Sequence, residues 1–237
     1  MKLDLRPLVL ALPAAYLLLS ADRLAPDRER PPITPHMTWD AAAPTLPPLD
    51  EGRFGRPGDP LNLVFVATPA AVRAALTEAG WTEVPTSVRG SLAAGIAELL
   101  DGRPLAAFPP MNDYRLIGRR QAMNWAIPVR PFEERHHFRL WFTGLVDPAG
   151  RPYWWGSGNY DRSIRWSDLS HRPDPDMDRE RDFIVASLSR SKFLESAALV
   201  PLPQIPPRGA NDKGYAYFTD GRAAVIVLKR LIRSRRP

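Results

Sequence analysis

The stretch Arg135-His-His-Phe-Arg-Leu-Trp-Phe-Thr-Gly-Leu-Val-Asp-Pro-Ala-Gly-Arg-Pro-Tyr-Trp-Trp-Gly-Ser-Gly-Asn-Tyr-Asp161 decides how this chain folds. Phe138 to Val146 and Pro152 to Arg162 are rich in aromatic and β-branched residues, which suit a pleated, half-buried surface. Asp147-Pro-Ala-Gly150 between them is a strong turn sequence, so the two segments are expected as an antiparallel hairpin. With a four-residue loop, Val146 pairs with Arg151, and the ladder sets Phe142 opposite Trp155, Leu140 opposite Ser157 and His136 opposite Asp161. Directly opposed residues share a face. This register puts His136 beside Asp161 at the end of the Phe138, Leu140, Phe142 row, and turns His137 to the other face with Arg139 and Trp141.

Working outward, Leu61-Asn-Leu-Val-Phe-Val-Ala67 reads as a buried strand bounded by Gly58-Asp-Pro60. Pro69 opens a helix over Ala70 to Ala79, with Val72, Ala75, Leu76 and Ala79 at helical spacing, Gly80 as its stop and Trp81 packing back on the core. A second helix fits Ser87 to Leu100, with Leu92, Ile96, Leu99 and Leu100 on one stripe. Part of Tyr114 to Ala126 forms a further strand. A third helix is expected from Asp174, and Gly214 to Leu228 as a last hairpin around Asp220-Gly221. Two helices followed by hairpin-linked strands predict an α+β domain: a mainly antiparallel sheet with about three helices on one face and the other face partly covered.

The 237 residues, 44% of them apolar, can bury one substantial core. The formal charge of +6 is dispersed among neighbouring acids, and no nucleic-acid motif is present, so no nucleic-acid partner is expected. The Lys229-to-Arg236 run reads as a basic tail over 231–237. At the other end, Lys2 and Arg6 precede an apolar run from Leu8 to Ala21, which marks residues 1–25 as a signal peptide or short membrane anchor and the membrane as a partner. Prolines recur from Pro26 to Pro60, so 26–60 is expected as a semi-extended linker to a domain over 61–230.

The run His171-Arg-Pro-Asp-Pro-Asp-Met-Asp-Arg-Glu-Arg-Asp182 holds one imidazole and five carboxylates. Its plainest role is helix capping by Asp174 and favourable placement of Asp176 and Asp178 at the positive end of the helix dipole. Asp174-x-Asp176-x-Asp178 imitates the start of a calcium loop, but Arg179 stands where glycine is needed and Val185 where glutamate is needed. With no cysteine in the chain, a divalent metal would need imidazole and carboxylate ligands. His136, His171, Asp161 and Asp174 have ligand types acceptable to zinc or manganese. The same four are the first candidates for ligand binding, with His137, Asp176, Glu180 and Asp182 second. Trp141, Trp154, Trp155 and Trp166 can serve either the core or a stacking platform for a sugar or lipid. Nucleophile elbows, phosphate-binding glycine loops, dinucleotide fingerprints and His-Glu-x-x-His are absent from the sequence.

Leu61-Asn-Leu-Val-Phe-Val, Ala-Gly-Trp81, Arg135-His-His-Phe-Arg-Leu-Trp141, Trp155-Gly156 through Tyr160-Asp161, the His171-to-Asp182 run and Thr219-Asp-Gly221 together resemble the LssY C-terminal domain family, over about residues 55 to 230. In that family the domain often follows a multi-span membrane part similar to lipid phosphatases. This chain has one short apolar segment instead, so the resemblance implies no lipid phosphatase activity. Its motif positions are His136, His137, Asp161, His171, Asp174, Asp176, Glu180 and Asp182, without assigned roles.

Three functions stay open on these grounds. The first is a membrane-tethered or exported envelope domain that binds a small polar, lipid or glycan ligand. The second is a metal-assisted hydrolase of phosphoester-like bonds. The third is a structural assembly domain whose polar cluster only orders the Arg162 to Pro173 loop.

Overall fold

A computed structural model describes residues 36–165 and 170–231. The N-terminal apolar segment, residues 26–35 of the proline-rich stretch, Trp166 and the basic tail from 232 onward lie outside the described residues.

The centre is an eight-stranded sheet made of β1 (Leu63–Val66), β2 (Thr82–Val84), β3 (Met123–Arg130), β4 (Glu134–Val146), β5 (Pro152–Arg165), β6 (Ser170–Pro173), β7 (Leu194–Pro201) and β8 (Arg222–Leu228). Its order is β7-β8-β1-β5-β4-β3-β2, with β6 paired to β5. Only β8 and β1 run parallel; the other neighbours are antiparallel. β1 lies mid-sheet and all four of its residues are buried, which is why it is continuously apolar rather than alternating. The helices are α1 (Trp39–Ala42), α2 (Pro69–Glu78), α3 (Val88–Leu100) and α4 (Met177–Leu188). None of the helices among the described residues is long and apolar enough to cross a membrane.

Each sheet face carries its own core. On one, Phe65, Trp125, Phe138, Leu140 and Trp154 pack against Val72 and Leu76 of α2 and Ile184 and Leu188 of α4. On the other, Val64, Trp141 and Trp155 pack against Ala42 of α1 and against Leu46, Tyr114 and Ile205 from irregular chain. Trp141, Trp154 and Trp155 are therefore core residues. Their indole N–H groups donate to the carbonyls of Tyr114, Ala67 and Pro47 at 3.3, 2.9 and 3.0 Å.

α2 follows its sequence signals: the Thr68 hydroxyl accepts from Ala71 N, and Gly80, at φ +88°, turns the chain so that Trp81 re-enters the core. Four expectations change. The proline-rich stretch is folded from Met37 onward, because its few apolar residues are what cover the second sheet face. α3 turns its expected core stripe outward: Ile96, Leu99 and Leu100 are 46%, 51% and 80% exposed, while Ser91, Gly95 and Glu98 face in. Glycine at 95 admits Phe108 against the helix, and the Glu98 carboxylate accepts the Ala107 N–H at 3.0 Å. α4 starts at Met177 with Asp176 as its cap, because Asp174 instead accepts from Asp176 N in a preceding turn. The expected last hairpin does not form. β8 already has β7 and β1 on its two edges, so Ala216–Phe218 pairs with Arg208–Ala210.

Gly156 lies between Leu140 and Leu63 in the ladder, where an added Cβ would meet Leu140 Cδ2 at 2.8 Å, the Arg139 carbonyl oxygen at 3.0 Å and Leu63 Cβ at 3.1 Å. Two of those atoms cannot swing aside. Gly156→Ala is expected to lower stability by about 1–3 kcal/mol in urea denaturation. An unchanged midpoint would show that the sheet is not packed this closely.

Candidate functional site

The site follows from how β4 meets β5. Asp147-Pro-Ala-Gly150 closes through Gly150 N to Asp147 O at 2.8 Å and Asp147 N to Arg151 O at 2.9 Å, with Gly150 at φ +79°. Asp147 thus faces Arg151, and Val146 pairs with Pro152 rather than Arg151. A bulge follows at Gly144, φ +84°, where the Thr143 hydroxyl donates to Tyr153 O and accepts from Leu145 N. Beyond it Phe142 pairs with Trp154, Leu140 with Gly156, His136 with Tyr160 and Arg135 with Asp161. The register departs from the expected one by a single residue, and with a side-chain period of two that exchanges the faces. His137 shares the face of Asp161; His136 does not.

Arg135, His137 and Arg139 consequently form a row on the non-helical face. The Asp161 Oδ2 atom lies 3.0 Å from Arg135 Nε, 3.3 Å from His137 Nδ1 and 3.5 Å from His171 Nδ1, the last brought in by β6. The carbonyl of Phe132 can only accept, so its 2.9 Å contact with His171 Nε2 places a proton on that nitrogen. Arg135 Nη1 donates to Pro109 O at 2.7 Å and Arg139 Nε to Asn112 O at 3.2 Å. Arg139 Nη1 is buried without a hydrogen-bond partner, as are His137 Nδ1 and Asn159 Oδ1. Asp59 accepts from Asn159 and Asn211, and the Asn211 side chain orders the turn that carries Lys213 by accepting from its backbone N–H.

These groups border a cavity of about 40 Å³ whose lining includes Arg135, His137, Arg139, Asp161, His171 and Lys213. That volume suits a few waters or one small polar group. Burial acts to raise the Asp161 pKa, but His137, His171 and Arg135 outweigh it and hold the carboxyl well below the usual range. Burial, reinforced by Arg135, pushes both imidazoles below the ordinary histidine value, His137 strongly, so they are neutral at pH 7 despite facing Asp161. Burial also lowers Lys213 to about 8 and raises Asp59. The cavity lining therefore holds two guanidinium groups and an ammonium against the two carboxyl groups of Asp161 and Asp59.

The other candidates sit elsewhere. His136, on the helical face, contacts Glu180 Oε2 of α4 through Nδ1 at 2.7 Å and stacks on Phe183 with ring centroids 3.6 Å apart. Asp174 pairs with Arg179 at 3.1 Å, Asp176 caps α4, and Asp182 pairs with Arg181 at 2.8 Å. The carboxylate-rich run is thus largely occupied by capping and by arginines. The four candidate metal ligands are divided between the two sheet faces and the turn before α4, and no group of three or more His, Asp or Glu among the described residues is placed to share an ion. Arg135, Arg139, Lys213 and Asp59 are site residues that the sequence did not single out as candidates. The alternation of Arg135, His137 and Arg139 was a usable local signal; Lys213 and Asp59 reach the cavity only through long-range packing.

Among known proteins, the family described as LssY C-terminus matches residues 43–223, so the match takes in the folded chain before β1. No curated protein and no solved structure matches.

Burial raises the Glu180 carboxyl from 4.5 to about 7, against the opposing pull of His136. A raised folded value means that its contribution to stability is complete below the ordinary carboxyl range and is lost as pH rises through about 7. Glu180→Gln keeps an acceptor for His136 and removes that titration. Relative to the parent, it is expected to gain stability between pH 5 and pH 8 in urea denaturation; a stability difference independent of pH would contradict a neutralised Glu180.

Proposed function

The chain belongs to the LssY C-terminal domain family, and from that premise we propose that the domain binds the anionic head group of a small polar ligand in the cavity around Arg135, His137, Arg139, Asp161, His171 and Lys213. The observation that carries this reading is the buried Arg139 Nη1, which has no hydrogen-bond partner although its guanidinium lies over the Tyr114 ring, in a cavity whose lining holds three cationic side chains and two carboxyl groups. A buried donor on a charged group without an acceptor is unfavourable by a few kcal/mol, and an incoming anion relieves it. At about 40 Å³ the cavity takes a phosphate or carboxylate group rather than a sugar ring or acyl chain, so the rest of the ligand would lie outside. The apolar run Leu8 to Ala21 would anchor the chain to a membrane or direct its export.

Titration with inorganic phosphate is expected to raise the melting temperature of the purified chain, less so at high salt. Arg139→Gln should weaken phosphate binding roughly tenfold or more, the worth of one charge-assisted hydrogen bond. His136→Asn, on the opposite face, should leave binding intact. No response to phosphate, acetate or citrate would remove this reading. For the tether, deletion of residues 1–25 is expected to shift the protein from the membrane or exported fraction to the cytosolic one; identical fractionation would argue against it.

A further inference from the structure

A cavity that only held an anion would need cations, and this one also contains an imidazole set between them. Arg135, His137 and Arg139 alternate along β4, so their successive Cα atoms are about 7 Å apart and an arginine stands on each side of His137 along the strand, all three lining the cavity. His137 turns Nδ1 toward Asp161 at 3.3 Å, a distance that a bound ligand can shorten to a hydrogen bond. A proton held on Nδ1 by a carboxylate leaves the lone pair on Nε2. Lys213 enters from a separate hairpin turn, where the Asn211 side chain accepts from the backbone N–H groups of Lys213 and Tyr215.

We propose that this cavity cleaves phosphate monoesters, with His137 Nε2 as the nucleophile, Asp161 holding its ring, and Arg135, Arg139 and Lys213 binding the phosphoryl oxygens. This rests on the cavity being an anion site. In the first step the Nε2 lone pair forms the N–P bond while the ester P–O bond breaks, and the leaving oxygen takes a proton from the Lys213 ammonium to depart as an alcohol. In the second, a water oxygen attacks phosphorus, the N–P electron pair returns to Nε2, the water proton returns to Lys213, and phosphate leaves. Water and the ester are the only reactants consumed. Neutral His137 needs no general base to act, because burial keeps it unprotonated at pH 7. The side-chain cations supply the stabilisation of developing charge on the phosphoryl group. His171 holds a supporting place, since its Nε2 is committed to the Phe132 carbonyl.

The test uses the full-length chain, with p-nitrophenyl phosphate as substrate and calorimetric titration of inorganic phosphate alongside. Nitrophenol release is expected to saturate, to be inhibited competitively by phosphate and to be unchanged by EDTA. His137→Asn should reduce it roughly a hundredfold or more while still binding phosphate. Incubation of the parent with labelled acetyl phosphate should leave acid-labile, alkali-stable label on the peptide containing His137. That labelling decides the matter if His137→Asn fails to fold. Phosphate binding without turnover and without labelled His137, or turnover that survives in His137→Asn, would overturn the hydrolytic proposal and leave the binding site standing. Absence of phosphate binding by the parent would remove both.

Discussion

An ionised carboxylate is buried at Asp161, 4% exposed, and the surrounding chain is organised by the need to answer that charge. Isolated in a protein interior, such a group is unfavourable by several kcal/mol, so partners must converge on it. Arg135 and His137, two residues apart on the adjacent strand, each bring a nitrogen within 3.3 Å of one oxygen, and His171 from β6 packs its ring beside it at 3.5 Å with its proton committed to Phe132. Arg135 then ties the Phe108-Pro109 loop to the sheet through the Pro109 carbonyl, and His171 ties β6 to the Phe132 turn. The carboxylate thereby joins two loops and β6 into one wall of the cavity.

The sheet separates two kinds of polar chemistry. Its helical face carries the His136 and Glu180 contact, wedged beside Phe183, where burial favours the neutral acid and the result is a tie between β4 and α4. Its other face carries the cationic cavity, enclosed by irregular chain whose backbone carbonyls at Pro109, Asn112 and Phe132 accept from the site's own side chains. Adjacent histidines on one strand point in opposite directions, so His136 and His137 never share a ligand. Neighbours in sequence are here in different environments.

Local signals carried much of the fold. The continuous apolar run at Leu63–Val66, the Thr68-Pro69 start and Gly80 stop of α2, and the Asp147-Pro-Ala-Gly150 turn depend on nearby residues, and each appears where the sequence placed it. The outward stripe of α3 shows the limit of the same reasoning. Periodicity identifies a helix and a stripe, but which side packs depends on what is available to meet it, and here Phe108 fits only against glycine.

Sequence by itself determined the α+β class, the hairpin at the centre, the set of polar residues from which a site is built, and the placement of His137 with Arg139 on one strand face. Tertiary structure decided which carboxylate they meet. A bulge at Gly144 and a three-residue turn tip, both set by hydrogen bonds across the hairpin, moved the ladder by one residue and put Arg135 in place of His136 opposite Asp161. Because side chains alternate with a period of two, that small backbone adjustment carried the site to the other side of the sheet, where Lys213 and Asp59, remote in sequence, complete it.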